Sequence, residues 1–372
     1  MKKRIVAFIL ALTALFGALI LKAEALDISG SAAVLISADT GEVLYEKNAD
    51  TRLPMASTTK IMTALVTLEN ADLDDTVTVS PEAAGIEGSS IYLYAGEKIS
   101  VESLLYALML ESANDAAAAL AIHVAGSVAD FAALMNKKAD ELSLVNTHFT
   151  NPHGLYDDEH YTSARDLALI AIAALGNEKF REIVSTEKKS VPMEDGSAAR
   201  LFINHNKLLR TYGGAIGVKT GFTKKSGRCL VSAAERDGMT FVAVTLSAPD
   251  DWRDHAALLD YAFSCYEKIK LEDALALDYT LPVVGGEIDF IKCKNKEDVY
   301  AYIKKDNKNI TKTVELRRFY FAGIKKGDVL GRVCYYNNGK MIAKAELVAL
   351  FDGPRKIYSF SIFELIGERL KG

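Results

Sequence analysis

The sequence predicts an α/β (α+β) chain: a mixed domain of hairpins and helices, followed by a smaller β-rich domain. Three observations carry this. Two short strand patterns flank a glycine turn near the start, Ala33–Ser37 and Glu42–Tyr45 around Asp39-Thr40-Gly41. Helical periodicity then runs from about Ser57 past Ser163, before strands return between Ile216 and Ser247. From roughly Leu271 the texture is strands and short turns only, as in Val283-Val284-Gly285-Gly286, Val299–Tyr302, Val314–Leu316 and Ile342–Leu350.

The 372 residues leave room for one large and one small domain. A formal net charge of −5 argues against non-specific nucleic-acid binding, so no nucleic-acid partner is expected. Lys2-Lys3-Arg4, an apolar run from Ile5 to Leu21 and Lys22-Ala23-Glu24-Ala25 have the layout of an export signal spanning 1–25. An uncleaved anchor is the other reading of the same run; either way the protein is expected outside the cytoplasmic membrane. Cys229, Cys265, Cys293 and Cys334 are irregularly spaced with no C-x-x-C pair, which argues against a zinc site. They read as buried thiols, or as a disulfide in an oxidising compartment.

Taken in order, a loop with Pro54 leads into a helix beginning at Ser57 and ending near Asn70, with Ile61, Met62, Leu65 and Leu68 on its apolar face. Asp72 to Ile99 reads as strand and loop. A helix starts at Ser100, breaks over Glu111–Asp115, and resumes as an Ala-rich helix to about Val124. Two more begin at Ser127 and Ser163, each with an Asp three positions on, as in a capping box. Thr150–Leu155 is a turn cluster. Arg228–Ala234 and Thr240–Ser247 form a hairpin about Arg236-Asp237-Gly238, and a helix from about Asp251 to Tyr266 closes the domain. The predicted division is 27–266 and 270–354, with 355–372 as a tail. In that tail Ile362, Phe363, Leu365, Ile366 and Leu370 gather on one helical face. It reads as an interfacial membrane helix or as a helix packed on its own domain.

The chemistry concentrates in three segments. Ser57 and Lys60 are one helical turn apart, so the lysine amine can reach the serine hydroxyl. A serine is a poor nucleophile until a base takes its proton, and a lysine can be that base if burial and a nearby cation depress its pKa. Ser112-Ala113-Asn114 sits in a helix break, where polar side chains can face a cleft. Lys219-Thr220-Gly221 lies on a strand whose alternation puts Lys219 and Gly221 on one face, and the bare glycine lets a substrate backbone pair along the edge. Ser-x-x-Lys alone is weak evidence: Ser185-Thr186-Glu187-Lys188 has the same spacing without an apolar stripe. Ser112 and Asn114 alone would read as helix caps, and Lys219 as a solvated strand lysine. His153 and Asp166 read as a turn residue and a helix cap.

S-x-x-K, S-x-N and K-T-G in this order are shared by penicillin-binding proteins and serine β-lactamases. The chain resembles the low-molecular-mass penicillin-binding proteins, specifically the serine-type D-alanyl-D-alanine carboxypeptidases, over nearly all of its exported length. That resemblance implies an antiparallel sheet flanked by helices, as in penicillin-binding transpeptidases and serine β-lactamases, plus a small C-terminal β domain. It implies Ser57 as nucleophile toward the D-Ala-D-Ala bond of peptidoglycan stem peptides, Lys60 as general base, and Ser112 as proton relay to the leaving D-alanine. Asn114 would bind the acyl side, and Lys219 and Thr220 the terminal carboxylate. Gly221 would give the strand edge its close approach. The backbone N–H groups of Ser57 and Phe222 would form the oxyanion hole. It also implies β-lactams as covalent inhibitors and a place at the extracytoplasmic membrane face or cell wall, with the C-terminal helix touching the membrane. No metal or other cofactor is expected. Asn206 falls in a segment that matches the family near the cleft and is not assigned a catalytic role.

Two rivals bear on the same residues. A serine β-lactamase would need a further glutamate and asparagine for deacylation; Glu141 and Asn146 are the nearest candidates, in the wrong setting. A non-catalytic wall-binding scaffold would not need Ser57, Lys60 and Lys219 together. Transpeptidase or endopeptidase action on the wall uses the same first step.

Overall fold

The computed structural model describes residues 26–193, 198–305 and 309–357. The proposed export signal, and the tail beyond residue 357, lie outside the described residues. The chain divides into two compact units between Ala262 and Phe263.

The first unit is built on a five-stranded antiparallel sheet. Its strands are β1 (Ala32–Ser37), β2 (Val43–Lys47), β7 (Ala215–Thr223), β8 (Gly227–Arg236) and β9 (Met239–Leu246), in the order β2-β1-β9-β8-β7. Two small hairpins supply the intervening numbers, β3 (Thr76–Thr78) with β4 (Lys98–Ser100) and β5 (Lys188–Pro192) with β6 (Ala199–Ile203). Every residue of β1 and β9 is buried, as their continuous apolar runs require. The β8–β9 turn is Asp237-Gly238, both at positive φ, the geometry of a two-residue hairpin that follows the strands' twist. β7 lies at the sheet edge, so one side of its backbone remains unpaired by the sheet.

Helices fill the span between β2 and β7. The first, α1 (Lys60–Asn70), is buried from Lys60 to Thr67. It packs on α3 (Asn114–Ala125) and on α5 (Ala164–Leu175), which in turn lies across β1 and β9. Between them come α2 (Val101–Tyr106) and α4 (Val128–Glu141). Ser100, Ser127 and Ser163 accept from the backbone N–H three residues on, which stops each helix N-terminus where the sequence predicts. Helix α6 (Glu178–Ser185), capped by Asn177, is not among the helices read from sequence. Its eight residues give a single apolar pair of turns, Phe180 with Ile183 and Val184, too short for a periodic signal. It also disposes of the second Ser-x-x-Lys: Ser185 ends a helix and Lys188 opens a strand. A short helix, Leu208–Thr211, precedes β7, and Asp251–Cys265 follows β9.

The break between helices is tighter than the sequence suggests. Ala107–Glu111 winds as a π-helix continuing α2, Ser112 takes a left-handed conformation (φ 61°), and Asn114 already begins α3. Only Ser112 and Ala113 lie in the break.

The second unit has a six-stranded sheet and a two-stranded ribbon between Tyr266 and Ala349. Its core gathers Leu281, Ile291, Cys293, Val333, Leu347 and their neighbours. All four cysteines are free thiols, three of them buried. Among the described residues no single helix is long and apolar enough to cross a membrane.

Candidate active site

Ser57 sits in a 3₁₀ turn, Ala56–Thr59, that leads directly into α1. Local chemistry sets that turn. The hydroxyls of Thr58 and Thr59 donate to the carbonyls of Met55 (2.6 Å) and Ala56 (2.8 Å), which closes the chain on itself one turn before the helix proper. Ala56 is held at φ 48°, where a non-glycine residue is strained.

Lys60 is fully buried. Its amine lies 3.1 Å from Ser57 Oγ, 2.7 Å from Asn114 Oδ1 and 2.6 Å from the His153 carbonyl oxygen. Burial, and then the positive charge of Lys219, hold this amine well below its ordinary pKa, with Asp115 opposing. The neutral form fits the partners. An uncharged amine has two N–H groups and one lone pair; the two carbonyl oxygens can only accept, so both N–H groups go to them. What remains for Ser57 is the lone pair.

Two more segments close around this pair. Asn114, at the start of α3, gives its oxygen to Lys60 and donates through Nδ2 to the Glu87 carbonyl (2.6 Å), which leaves one amide hydrogen unspent. Ser112, two residues earlier, is buried, and its hydroxyl has no protein partner among the described residues. On β7, a β-carbon at Gly221 would lie 3.1 Å from the Ser57 nitrogen and 3.2 Å from the Met55 oxygen, so the glycine lets the strand edge run against the Ser57 turn. Lys219, on the same face, is also buried; its amine donates to the Thr220 carbonyl, and burial lowers its pKa to about 7 against the pull of Glu111. Glu111 accepts from the Ile203 N–H at 2.5 Å, tying β6 to the π-turn before Ser112. Thr220 is half-buried and Phe222 is 65% exposed. The three sequence segments therefore meet.

The sequence shows a turn at Asn151–Gly154 but not its part in the site. His153 contributes its backbone carbonyl to Lys60, Pro152 accepts from Thr63 Oγ1 at 2.6 Å, and Gly154 lies against Ala56. The His153 ring takes the Leu155 N–H on Nδ1, and burial beside Lys60 brings it down to about 3, so it stays neutral. His160 likewise accepts the Thr150 N–H on Nδ1, which puts its proton on Nε2 facing Thr59 Oγ1 at 2.8 Å. Burial lowers it to about 4. Both rings are supports of the turn. Asp166, besides following the Ser163 cap, accepts from the Asn146 N–H and Thr147 Oγ1. Asn206 is buried and holds the Leu208 N–H. Glu141 is an exposed partner of Lys138 and Asn146 a half-buried partner of Arg52, so neither has the setting of a deacylating pair.

Residues 20–250 match the family model described as D-alanyl-D-alanine carboxypeptidase, and residues 266–354 match the C-terminal domain of penicillin-binding protein 5. The chain belongs to the D-alanyl-D-alanine carboxypeptidase family. It is a serine-type D-Ala-D-Ala carboxypeptidase of peptidoglycan, a penicillin-binding protein of low molecular mass. It is 36% identical over 330 residues to D-alanyl-D-alanine carboxypeptidase DacF of Bacillus subtilis, across 86% of this chain and 85% of that protein. Among solved structures it resembles penicillin-binding protein 5 of Haemophilus influenzae (30% identity, TM-score 0.63, 88% of this carboxypeptidase and 98% of that chain). It also resembles the Streptomyces K15 DD-transpeptidase (38% identity, TM-score 0.61), which covers 64% of this chain and 98% of its own. These likenesses carry the penicillin-binding sheet-and-helix fold with its C-terminal β domain. The family's members are extracytoplasmic cell-wall enzymes, with D-Ala-D-Ala substrates and β-lactams as ligands.

Proposed function

We propose that Ser57 is the nucleophile of this carboxypeptidase and Lys60 its general base. The observation that carries the reading is the placing of the Lys60 amine, 3.1 Å from Ser57 Oγ, 2.7 Å from Asn114 Oδ1 and 2.6 Å from the His153 oxygen: with the amine neutral, the two carbonyls take its N–H groups and the lone pair is left for the Ser57 hydroxyl. As Ser57 Oγ attacks the carbonyl between the two D-alanines, its proton passes to Lys60. The tetrahedral oxygen is stabilised by the backbone N–H groups of Ser57 and Phe222. Collapse breaks the C–N bond; Ser112 gives its hydroxyl proton to the departing D-alanine amine and takes back the proton held by Lys60, which returns to its neutral form. Water then hydrolyses the acyl ester and returns Ser57. Lys219 and Thr220 receive the substrate carboxylate, the free amide hydrogen of Asn114 holds the acyl backbone, and Gly221 admits the peptide along β7.

Trimming pentapeptide stems in this way removes the donor for cross-linking. We assign residues 1–25 as an export signal, 27–266 as the catalytic domain and 270–354 as the β domain. The tail 355–372 is assigned to the membrane surface, which puts the enzyme on the outer face of the cell membrane. The basis is the sequence pattern at the two ends.

The deciding experiment measures D-alanine release from a pentapeptide ending in D-Ala-D-Ala, alongside labelling by a fluorescent penicillin. Release with stable labelling supports the assignment; rapid turnover of the label indicates a β-lactamase, and neither release nor labelling indicates a scaffold. The likeness to the K15 enzyme favours one second reading, transfer of the acyl group to an amine. An added amine acceptor that diverts product from hydrolysis would establish it.

A further inference from the structure

Tyr92 is 86% exposed, more than any other phenylalanine, tyrosine or tryptophan among the described residues, and it stands at φ 59°. A bulky residue in the left-handed region is strained and persists only where its surroundings impose it. Here they do. The buried carboxylate of Asp115 accepts from Ser90 Oγ (2.6 Å) and from the N–H groups of Ile91 (3.2 Å) and Leu93 (3.0 Å), the residues on either side. Ser90 Oγ in turn accepts the Tyr92 N–H at 2.9 Å. Ile91 and Leu93 are buried, so the loop is pinned on both sides of Tyr92, whose ring projects; Tyr94, 56% exposed, follows it.

The pinned loop is fastened to the cleft. Asn114, which holds Lys60, donates its backbone N–H to the Ser89 carbonyl at 2.7 Å and its side-chain amide to the Glu87 carbonyl. The Tyr92 backbone is therefore fixed relative to the acyl-side residue, with three residues of chain, at most about 10 Å, between Ser89 and Tyr92. A stem peptide on the acyl side has a similar reach: three residues beyond the reacting pair span about 10 Å before the amino sugar to which the stem is attached. A tyrosine on a held backbone offers a flat apolar face and a hydroxyl with few torsions left to order, which suits the C–H face of a sugar ring and its polar rim.

We propose that Tyr92 forms a subsite for the N-acetylated amino sugar carrying the stem peptide, so that the enzyme reads glycan as well as D-Ala-D-Ala. This rests on the carboxypeptidase reading of the cleft and is tested separately from it. The full exported chain and its Tyr92→Ala and Tyr92→Phe variants would be assayed on a free pentapeptide and on the same pentapeptide attached to its disaccharide. The expected result is a roughly 10-fold wild-type preference in kcat/KM for the sugar-bearing substrate, expressed in KM, abolished by Tyr92→Ala and retained by Tyr92→Phe. Release from the free pentapeptide and the penicillin acylation rate should stay within about two-fold. No wild-type preference, an equal loss on both substrates, or a preference that survives Tyr92→Ala would each overturn the subsite. Absence of D-alanine release from either substrate by the wild-type enzyme would instead count against the carboxypeptidase roles.

Discussion

A β-carbon on Gly154 would lie 1.9 Å from the carbonyl oxygen of Ala56, the residue before Ser57. Gly154 also stands at φ +88°, a region that other residues rarely occupy. The positive φ of Ala56, the turn carrying Ser57 and the carbonyl received by Lys60 are thus set against one glycine.

Gly154→Ala should accordingly cost both stability and activity. Relief of the overlap must move either the Asn151–Gly154 turn or the Ser57 turn. A loss of roughly 2–4 kcal/mol is expected from the clash and the backbone conformation together. Thermal unfolding reports the first, and the rate of penicillin acylation by the folded fraction reports the second. Unchanged acylation would mean that the turn yields without disturbing Ser57.

Ser57→Ala should abolish D-alanine release and penicillin labelling together. Lys60→Arg should be nearly as damaging, because a guanidinium stays protonated and cannot take the Ser57 proton. A fall of about 10²–10⁴ in acylation rate is expected for loss of a general base. Retained release in Ser57→Ala excludes the assignment of nucleophile.

The two amines predict the pH profile. Lys60 must be neutral to act, and its depressed pKa puts the acidic limb of kcat/KM, where activity falls with falling pH, well below the ordinary lysine range. Lys219 must be charged to receive a carboxylate, and its pKa near 7 in the free enzyme gives a basic limb there, with activity falling as pH rises. Bound carboxylate favours the charged amine, so the same limb should move upward in kcat. Profiles of kcat/KM and kcat on one peptide check this, and coincident basic limbs would contradict the role of Lys219.

Asp115→Asn tests the opposing charge. Asp115 raises the pKa of Lys60, so its neutralisation should shift the acidic limb to lower pH. It also takes an acceptor from the buried N–H groups of Ile91 and Leu93, with an expected loss of about 1–3 kcal/mol in stability. An acidic limb that moves upward would contradict the electrostatic argument.

The elements that carry Ser57, Asn114 and Lys219 were legible from sequence because each announces itself locally. The Ser57 helix has its apolar stripe, α3 follows a polar break, and β7 begins a run of strands closed by Asp237-Gly238. Their convergence was an expectation that only the resemblance supplied, since nothing local says that Gly221 meets Ser57. What stayed hidden shares one property: it acts through backbone. The His153 carbonyl, the Gly154 contact and the N–H groups pinned by Asp115 leave no trace in residue type beyond a turn-forming cluster. Helix α6 escaped for a different reason, having too few turns to show a period.

The arrangement around Lys60 bears on how long an antibiotic stays attached. With both hydrogens tethered to carbonyls, the nitrogen can accept a proton from one direction only, the line to the serine oxygen. Once that oxygen is esterified by an opened lactam ring, the bulky adduct occupies the same line, and an incoming water must approach past it. Glu141 and Asn146 are engaged by Lys138 and Arg52 and do not supply a second acceptor beside Ser57. On the roles proposed for Ser57 and Lys60, a base with a single line of sight makes the natural ester, whose leaving group departs, a passing intermediate, and the tethered drug ester a dead end.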